Sequence, residues 1–213
     1  MRLGWLIGGS QGLGVDTAAN IFGNAVARAG YFIYGSREYY SNIKGRHSYF
    51  NVCISDKQQN SIDSKVDILA SFDAETIFQH FYEVKKIMIY GKSFANTKID
   101  AIKSMEPEIA EVATDYLSSY SYDVKGVLEY EKEHGVACIE LDYDSIMLSI
   151  MNKLNMPPAV AERARNMIAV GASFSVLGLD KKFLFDSLGF FFKNKQFYDL
   201  NSLAVEAGYA SSS

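Results

Sequence analysis

The chain has 213 residues, 48% of them apolar and 14% aromatic, with a formal net charge of −4. That is enough apolar chain for one sizeable core, and the mild acidity excludes the basic footprint of a nucleic-acid binder. No apolar run reaches the roughly 18 residues of a membrane span, and Arg2 followed by early glycines does not make a signal peptide.

Residues 3–7 form an apolar run that feeds a turn containing Gly8, Gly9, Gly12 and Gly14. Ala18, Ala19, Ile21, Phe22, Ala25, Val26 and Ala29 then recur at helical spacing. Strand, glycine turn and helix open a nucleotide-binding type of α/β unit. The first N–H groups of such a helix suit a carboxylate or a phosphate above the turn. The glycine spacing does not fit G-x-G-x-x-G, and Gly14 is followed by Val15 and Asp16 rather than a phosphate-binding lysine. A tight turn serving packing alone therefore stands beside the anion site. Ser10 and Gln11 lie in this turn, where Gln11 either orients a ligand or caps the helix starting near Val15. Asp16 suits the helix dipole.

Residues 31–34 read as a second strand, residues 35–47 as a long polar and aromatic loop, and residues 49–55 as a third strand. Residues 56–64 are turn-like, residues 66–71 are a strand, and Asp73 opens a helix carrying Ile77, Phe78, Phe81 and Val84 on one face. Residues 86–90 form a strand ending at Gly91. Residues 93–105 signal weakly. Helices are expected at 107–120, 125–133 and 143–154, with a strand at 136–141. This alternation predicts an α/β fold of three layers, a mostly parallel sheet with helices on both faces. From Pro157 onward only helical patterns remain, so residues 1–155 read as the α/β body and 156–213 as a helical C-terminal part packed on it. Phe190, Phe191 and Phe192 cannot all point inward from one helix, so part of that stripe covers a partner.

Cys53 and Cys138 lie in apolar runs without C-x-x-C spacing, which suits thiols of a reducing, cytoplasmic compartment. His47, His80 and His134 have no partners at metal spacing and read as surface or capping histidines. No residue stands out as catalytic or as a metal ligand.

Four stretches taken together resemble one family: Gly8 to Gly12, residues 34–47 (YGSREYYSNIKGRH), residues 66–73 (VDILASFD) and residues 166–179 (NMIAVGASFSVLGL). In this order they are similar to the gamma subunit or domain of 2-oxoacid:ferredoxin oxidoreductases, most of all the archaeal form with gamma fused to the front of the alpha chain. The resemblance implies CoA-dependent oxidative decarboxylation of a 2-oxoacid such as pyruvate or 2-oxoglutarate, with electrons passed to ferredoxin. It implies a complex that uses thiamine diphosphate, Mg²⁺, 4Fe–4S clusters and coenzyme A, with none of these cofactors bound by this chain. Two cysteines are too few for a cluster, and the alpha part's Tyr-Pro-Ile-Thr-Pro motif is absent. The chain is then a separate gamma subunit or a piece of a fused one, inactive alone.

On this resemblance, Arg37, Glu38, Tyr40, Asn42, Lys44, Arg46 and His47 form a surface that meets the alpha and beta parts and touches CoA phosphates. The planar fork of arginine suits such contacts. The plainer reading pairs Glu38 with Arg37 or Arg46 to stiffen the loop. Gly8, Gly9, Ser10, Gln11 and Gly12 complete the ligand or interface candidates. Ferredoxin is reached through the complex, and no nucleic acid or membrane partner is expected. The competing functions are a stand-alone nucleotide-dependent α/β enzyme and a small-anion binding module. The first is disfavoured by the glycine spacing and by Gly35, Ser36 and Arg37 standing where a ribose-binding acid should end the second strand.

Overall fold

The computed structural model describes residues 1–39 and 47–212. Six strands form one sheet in the order β2-β3-β1-β4-β5-β6, with β1 at Arg2–Ser10, β2 at Phe32–Tyr39, β3 at His47–Ser55, β4 at Val66–Ser71, β5 at Val84–Gly91 and β6 at Ala137–Leu141. β1, β4, β5 and β6 pair in parallel. β3 runs antiparallel to both β1 and β2. The sheet is thus mostly parallel, as the alternation of elements predicts, with an antiparallel hairpin at one edge.

A parallel strand covered on both faces must be apolar on both, and β1 is. Trp5 and Ile7 join one buried cluster while Leu6, between them, joins the other. On the first face lie α1 (Val15–Arg28) and, further along the chain, α5 (Tyr143–Leu154), α6 (Pro158–Ala161), α7 (Arg165–Val176), α8 (Lys182–Phe191) and α9 (Lys195–Ser211). On the second lie α2 (Ala74–His80), α3 (Pro107–Tyr116) and α4 (Val124–Glu133). Asp73 caps α2 as its sequence position suggests, its carboxylate accepting the Thr76 N–H at 2.8 Å. Residues 92–94 and 99–101, where the sequence signal is weak, are single 3₁₀ turns.

Two expectations of local structure fail here: Val84, expected on the face of the helix that Asp73 opens, begins β5, and the loop expected from residue 35 does not begin there. Gly35, Ser36, Arg37 and Glu38 are strand, not loop. Ser36 pairs with Asn51, Arg37 with Phe50 and Glu38 with Tyr49 in a regular antiparallel ladder. Gly35, Arg37 and Glu38 are exposed, so this part of the hairpin needs no apolar alternation and reads as loop. Among the described residues, no helix is long and apolar enough to cross a membrane.

Candidate functional site

Helices leave β1 and β4 towards opposite faces, since α1 packs on one side and α2 on the other. Open α/β sheets bind ligands in the crevice that such a switch leaves at the carboxyl ends of the strands. Here that crevice holds the glycine turn. Gly8, Gly9 and Ser10 end β1, opposite Tyr49, Ser48 and His47 of β3. The Ser10 N–H donates to Asp73 Oδ2 at 3.2 Å. Burial pushes the Asp73 carboxyl above the usual range even though it accepts from Thr76 and Ser10.

Beyond Ser10 the chain turns through Gln11 and Gly12 to Gly14, the N-cap of α1, at φ 83°. Gly14 has no side chain with which to cap this helix. The turn is held instead from a helix far along the chain. Asn166, 3% exposed on α7, donates through Nδ2 to the carbonyls of Leu13 at 3.1 Å and Gly14 at 2.8 Å. A Cβ on Gly14 would stand 2.8 Å from that same nitrogen, so both the positive φ and the close approach require glycine. Helix α7 is itself tied to β1, where Trp5 Nε1 donates to Ser173 Oγ at 2.9 Å. Asn166 Oδ1 is buried and has no hydrogen-bond partner among the described residues.

In front of the turn lies a cavity of about 880 Å³. Its lining includes Gly12, Gly14 and Asn166 of the turn region, the aromatic side chains of Phe72, Phe94, Phe192 and Phe197, and the carboxylate of Glu162. Arg163 and Arg165 stand at its wall. Arg165 is committed, paired with Asp144 and Glu162 and lying 5.4 Å over the Tyr143 ring. Arg163 is exposed and has no ion-pair partner among the described residues. The start of α1, one guanidinium without an ion-pair partner among the described residues and aromatic side chains suit a ligand with an anionic end and a flat or apolar body, the Glu162 carboxylate beside them being held by Arg165.

The histidines differ from expectation. His47 and His80 are 2% and 3% exposed, neither surface nor capping groups. Their Nε2 atoms stand 3.1 Å apart, and His80 Nδ1 lies 3.0 Å from Glu83 Oε2. Burial, and then the charge of His80, pull the His47 ring down to about 3. His134 does end α4. Arg37 pairs with Asp16 at 2.9 Å rather than with Glu38, and Glu38 accepts from Ser36 Oγ at 3.1 Å. Tyr40, Asn42, Lys44 and Arg46 lie outside the described residues. Cys53 and Cys138 are free thiols. Asn166 and Asp73 hold the turn and Arg163 lines the cavity, roles that no local pattern signals because each depends on long-range packing.

The model of pyruvate ferredoxin/flavodoxin oxidoreductases matches residues 4–211. The chain belongs to this family. A 2-oxoacid:ferredoxin oxidoreductase 1 subunit alpha of Sulfurisphaera tokodaii is 53% identical over 211 residues, covering 98% of this chain and 34% of that protein. A 2-oxoacid:ferredoxin oxidoreductase subunit alpha of Saccharolobus solfataricus is 52% identical over 209 residues, covering 97% and 33%. The chain therefore spans about a third of the length of these relatives. The crystal structure of the keto/oxoacid ferredoxin oxidoreductase gamma subunit from Geobacter sulfurreducens has the same fold, with a TM-score of 0.64 at 17% identity over 100% of this chain and 97% of that one. The 2-oxoglutarate:ferredoxin oxidoreductase from Magnetococcus marinus, solved with 2-oxoglutarate, coenzyme A and succinyl-CoA bound, superposes with a TM-score of 0.67 at 20% identity, over 99% of this chain and 31% of that one.

Proposed function

We propose that this chain is the gamma-type domain of a 2-oxoacid:ferredoxin oxidoreductase, continuous with an alpha part as in the longer archaeal relatives. In that assembly it supports CoA-dependent oxidative decarboxylation of a 2-oxoacid, with electrons passed to ferredoxin, and it turns nothing over alone. Its own task is to hold coenzyme A. The observation that carries this is the glycine turn at the start of α1, which lines a cavity together with four phenylalanines and Arg163, a guanidinium with no ion-pair partner among the described residues. A CoA phosphate suits the α1 amides and Arg163. The apolar stretches of the same molecule suit the aromatic walls.

The residues of this chain do not fit the other cofactors of such a complex. Two cysteines cannot ligate a 4Fe–4S cluster. Among the described residues no three His, Cys, Asp or Glu side chains gather to hold a metal ion. In this reading the clusters and Mg²⁺–thiamine diphosphate are assigned to the alpha and beta parts.

Calorimetric titration of the chain with CoA, NAD(H) and NADP(H) tests the reading. CoA alone should bind, and Arg163→Ala should weaken it about tenfold, the equivalent of about 1.4 kcal/mol for one charged contact. Assembly with alpha and beta parts should give viologen reduction that depends on both 2-oxoacid and CoA and is absent from the lone chain. Tight nicotinamide binding, or CoA binding indifferent to Arg163, overturns it.

A further inference from the structure

Asn201 stands on α9 at 5% exposure and lines the cavity in front of the glycine turn. Its amide is oriented from within its own helix. Nδ2 donates to the carbonyl of Phe197, one turn earlier, at 2.7 Å. A carbonyl only accepts, so the nitrogen must face it and Oδ1 must face away. That oxygen has no hydrogen-bond partner among the described residues. It differs from Asn166 Oδ1, which packing seals off; the Asn201 oxygen stays open to the cavity that its residue lines. An acceptor on so buried a side chain is costly to leave unpaired, and water or a donor of the ligand has to complete it.

The neighbouring wall is aromatic. Phe197 precedes Asn201 by four residues and so lies on the same face of α9, and Phe192, at the end of α8, lines the same cavity. Both are half-buried, and neither meets another aromatic ring among the described residues. Ring faces free for stacking and one fixed acceptor fit a flat heterocycle that carries an exocyclic amino group. Within coenzyme A only adenine joins these two features, since its 6-amino group donates at the edge of a planar ring. The amide N–H groups of the pantetheine arm also donate, but from a flexible chain without a ring. A 6-oxo purine would set acceptor against acceptor at Asn201. Turning the amide over would offer Nδ2 to that oxygen, but would press Oδ1 against the Phe197 carbonyl. The bond inside α9 therefore fixes which purine edge the cavity accepts.

We propose that Asn201 selects the base of the bound coenzyme, accepting from the 6-amino group of adenine while Phe192 and Phe197 pack on its ring. This assignment rests on the reading that the cavity holds coenzyme A, and it adds which end of that molecule meets α8 and α9. Calorimetric titration of the chain compares CoA with its deaminated analogue, in which hypoxanthine replaces adenine and nothing else changes. CoA should bind about tenfold more tightly, the penalty being an acceptor left facing an acceptor. Adenosine 3′,5′-bisphosphate should show the same preference over inosine 3′,5′-bisphosphate. Asn201→Leu removes the acceptor at similar volume and should bind CoA and the deaminated analogue equally. Binding of 4′-phosphopantetheine, which has no base, should be the same in both chains. The comparison of the two coenzymes in the parent chain does not depend on how the variant folds. Equal binding of CoA and its deaminated analogue by the parent, or a preference that survives Asn201→Leu, overturns the assignment and leaves the coenzyme site standing. Weaker binding of 4′-phosphopantetheine to the variant also overturns it, by giving Asn201 to the pantetheine amides. Absence of CoA binding in the same titration sinks the underlying reading, and this assignment with it.

Discussion

Glu131 gives the most direct test of the packing. It sits on α4 at 1% exposure, with neither carboxyl oxygen hydrogen-bonded among the described residues. Burial alone pushes it up to about 8. The folded chain therefore holds this group protonated at neutral pH, while the unfolded chain ionises it near 4.5. The fold binds one more proton than the unfolded state between these values. Stability from this site is fully present below pH 4.5 and declines by about 1.4 kcal/mol per pH unit up to pH 8. Between pH 5 and pH 7 the loss is about 3 kcal/mol, a large share of the 5–15 kcal/mol typical of a domain. Glu131→Met removes the titration and keeps similar bulk. Urea unfolding of both chains at pH 5, 6, 7 and 8 should show the variant gaining on the parent at each step, because all other titrations cancel in the difference. A difference that stays flat with pH, or a parent that is the more stable at pH 8, would mean an ionised and solvated Glu131 and would refute the reasoning.

His47 should act in the opposite direction. Its folded value is depressed from 6.5 to about 3, so the unfolded chain binds the extra proton and stability drops as pH falls below 6.5. His47→Gln should flatten that acid limb in a thermal-melt series from pH 6.5 to 4, and parallel curves would show that the ring is charged in the fold. Gly171→Ala and Gly208→Ala probe the crossing of α7 and α9. A Cβ at Gly171 would lie 2.1 Å from the Val205 carbonyl oxygen, and one at Gly208 lies 1.9 Å from that of Ile168. Either substitution should cost at least about 2 kcal/mol by overpacking, outweighing the roughly 1 kcal/mol that alanine gains in a helix. An unchanged or raised urea midpoint would contradict this.

These residues also mark where the sequence could be read and where it could not. Period and punctuation are local, and what they govern was legible. Residues 143–154 read as a helix and form one, Asp73 opens α2, and the glycine turn joins β1 to a helix at Val15. Strand signals failed at Ser36 and Glu38 because those side chains face an uncovered groove rather than a core, and alternation reports burial, not pairing. The burial of His47 was hidden for a related reason. Its companion, His80, lies 33 residues away, and nothing in the spacing of either says that they meet. Asn166 is the sharpest case. Its stretch carries a family resemblance, yet its work is to hold carbonyls at Leu13 and Gly14 from 152 and more residues away. A turn that must approach a ligand closely cannot carry bulky stabilising side chains of its own. Its stiffness has to be supplied from elsewhere in the fold, here by Asn166 on one side and Asp73 on the other. The groups that fix such a site are thus the ones least visible in the motif that announces it.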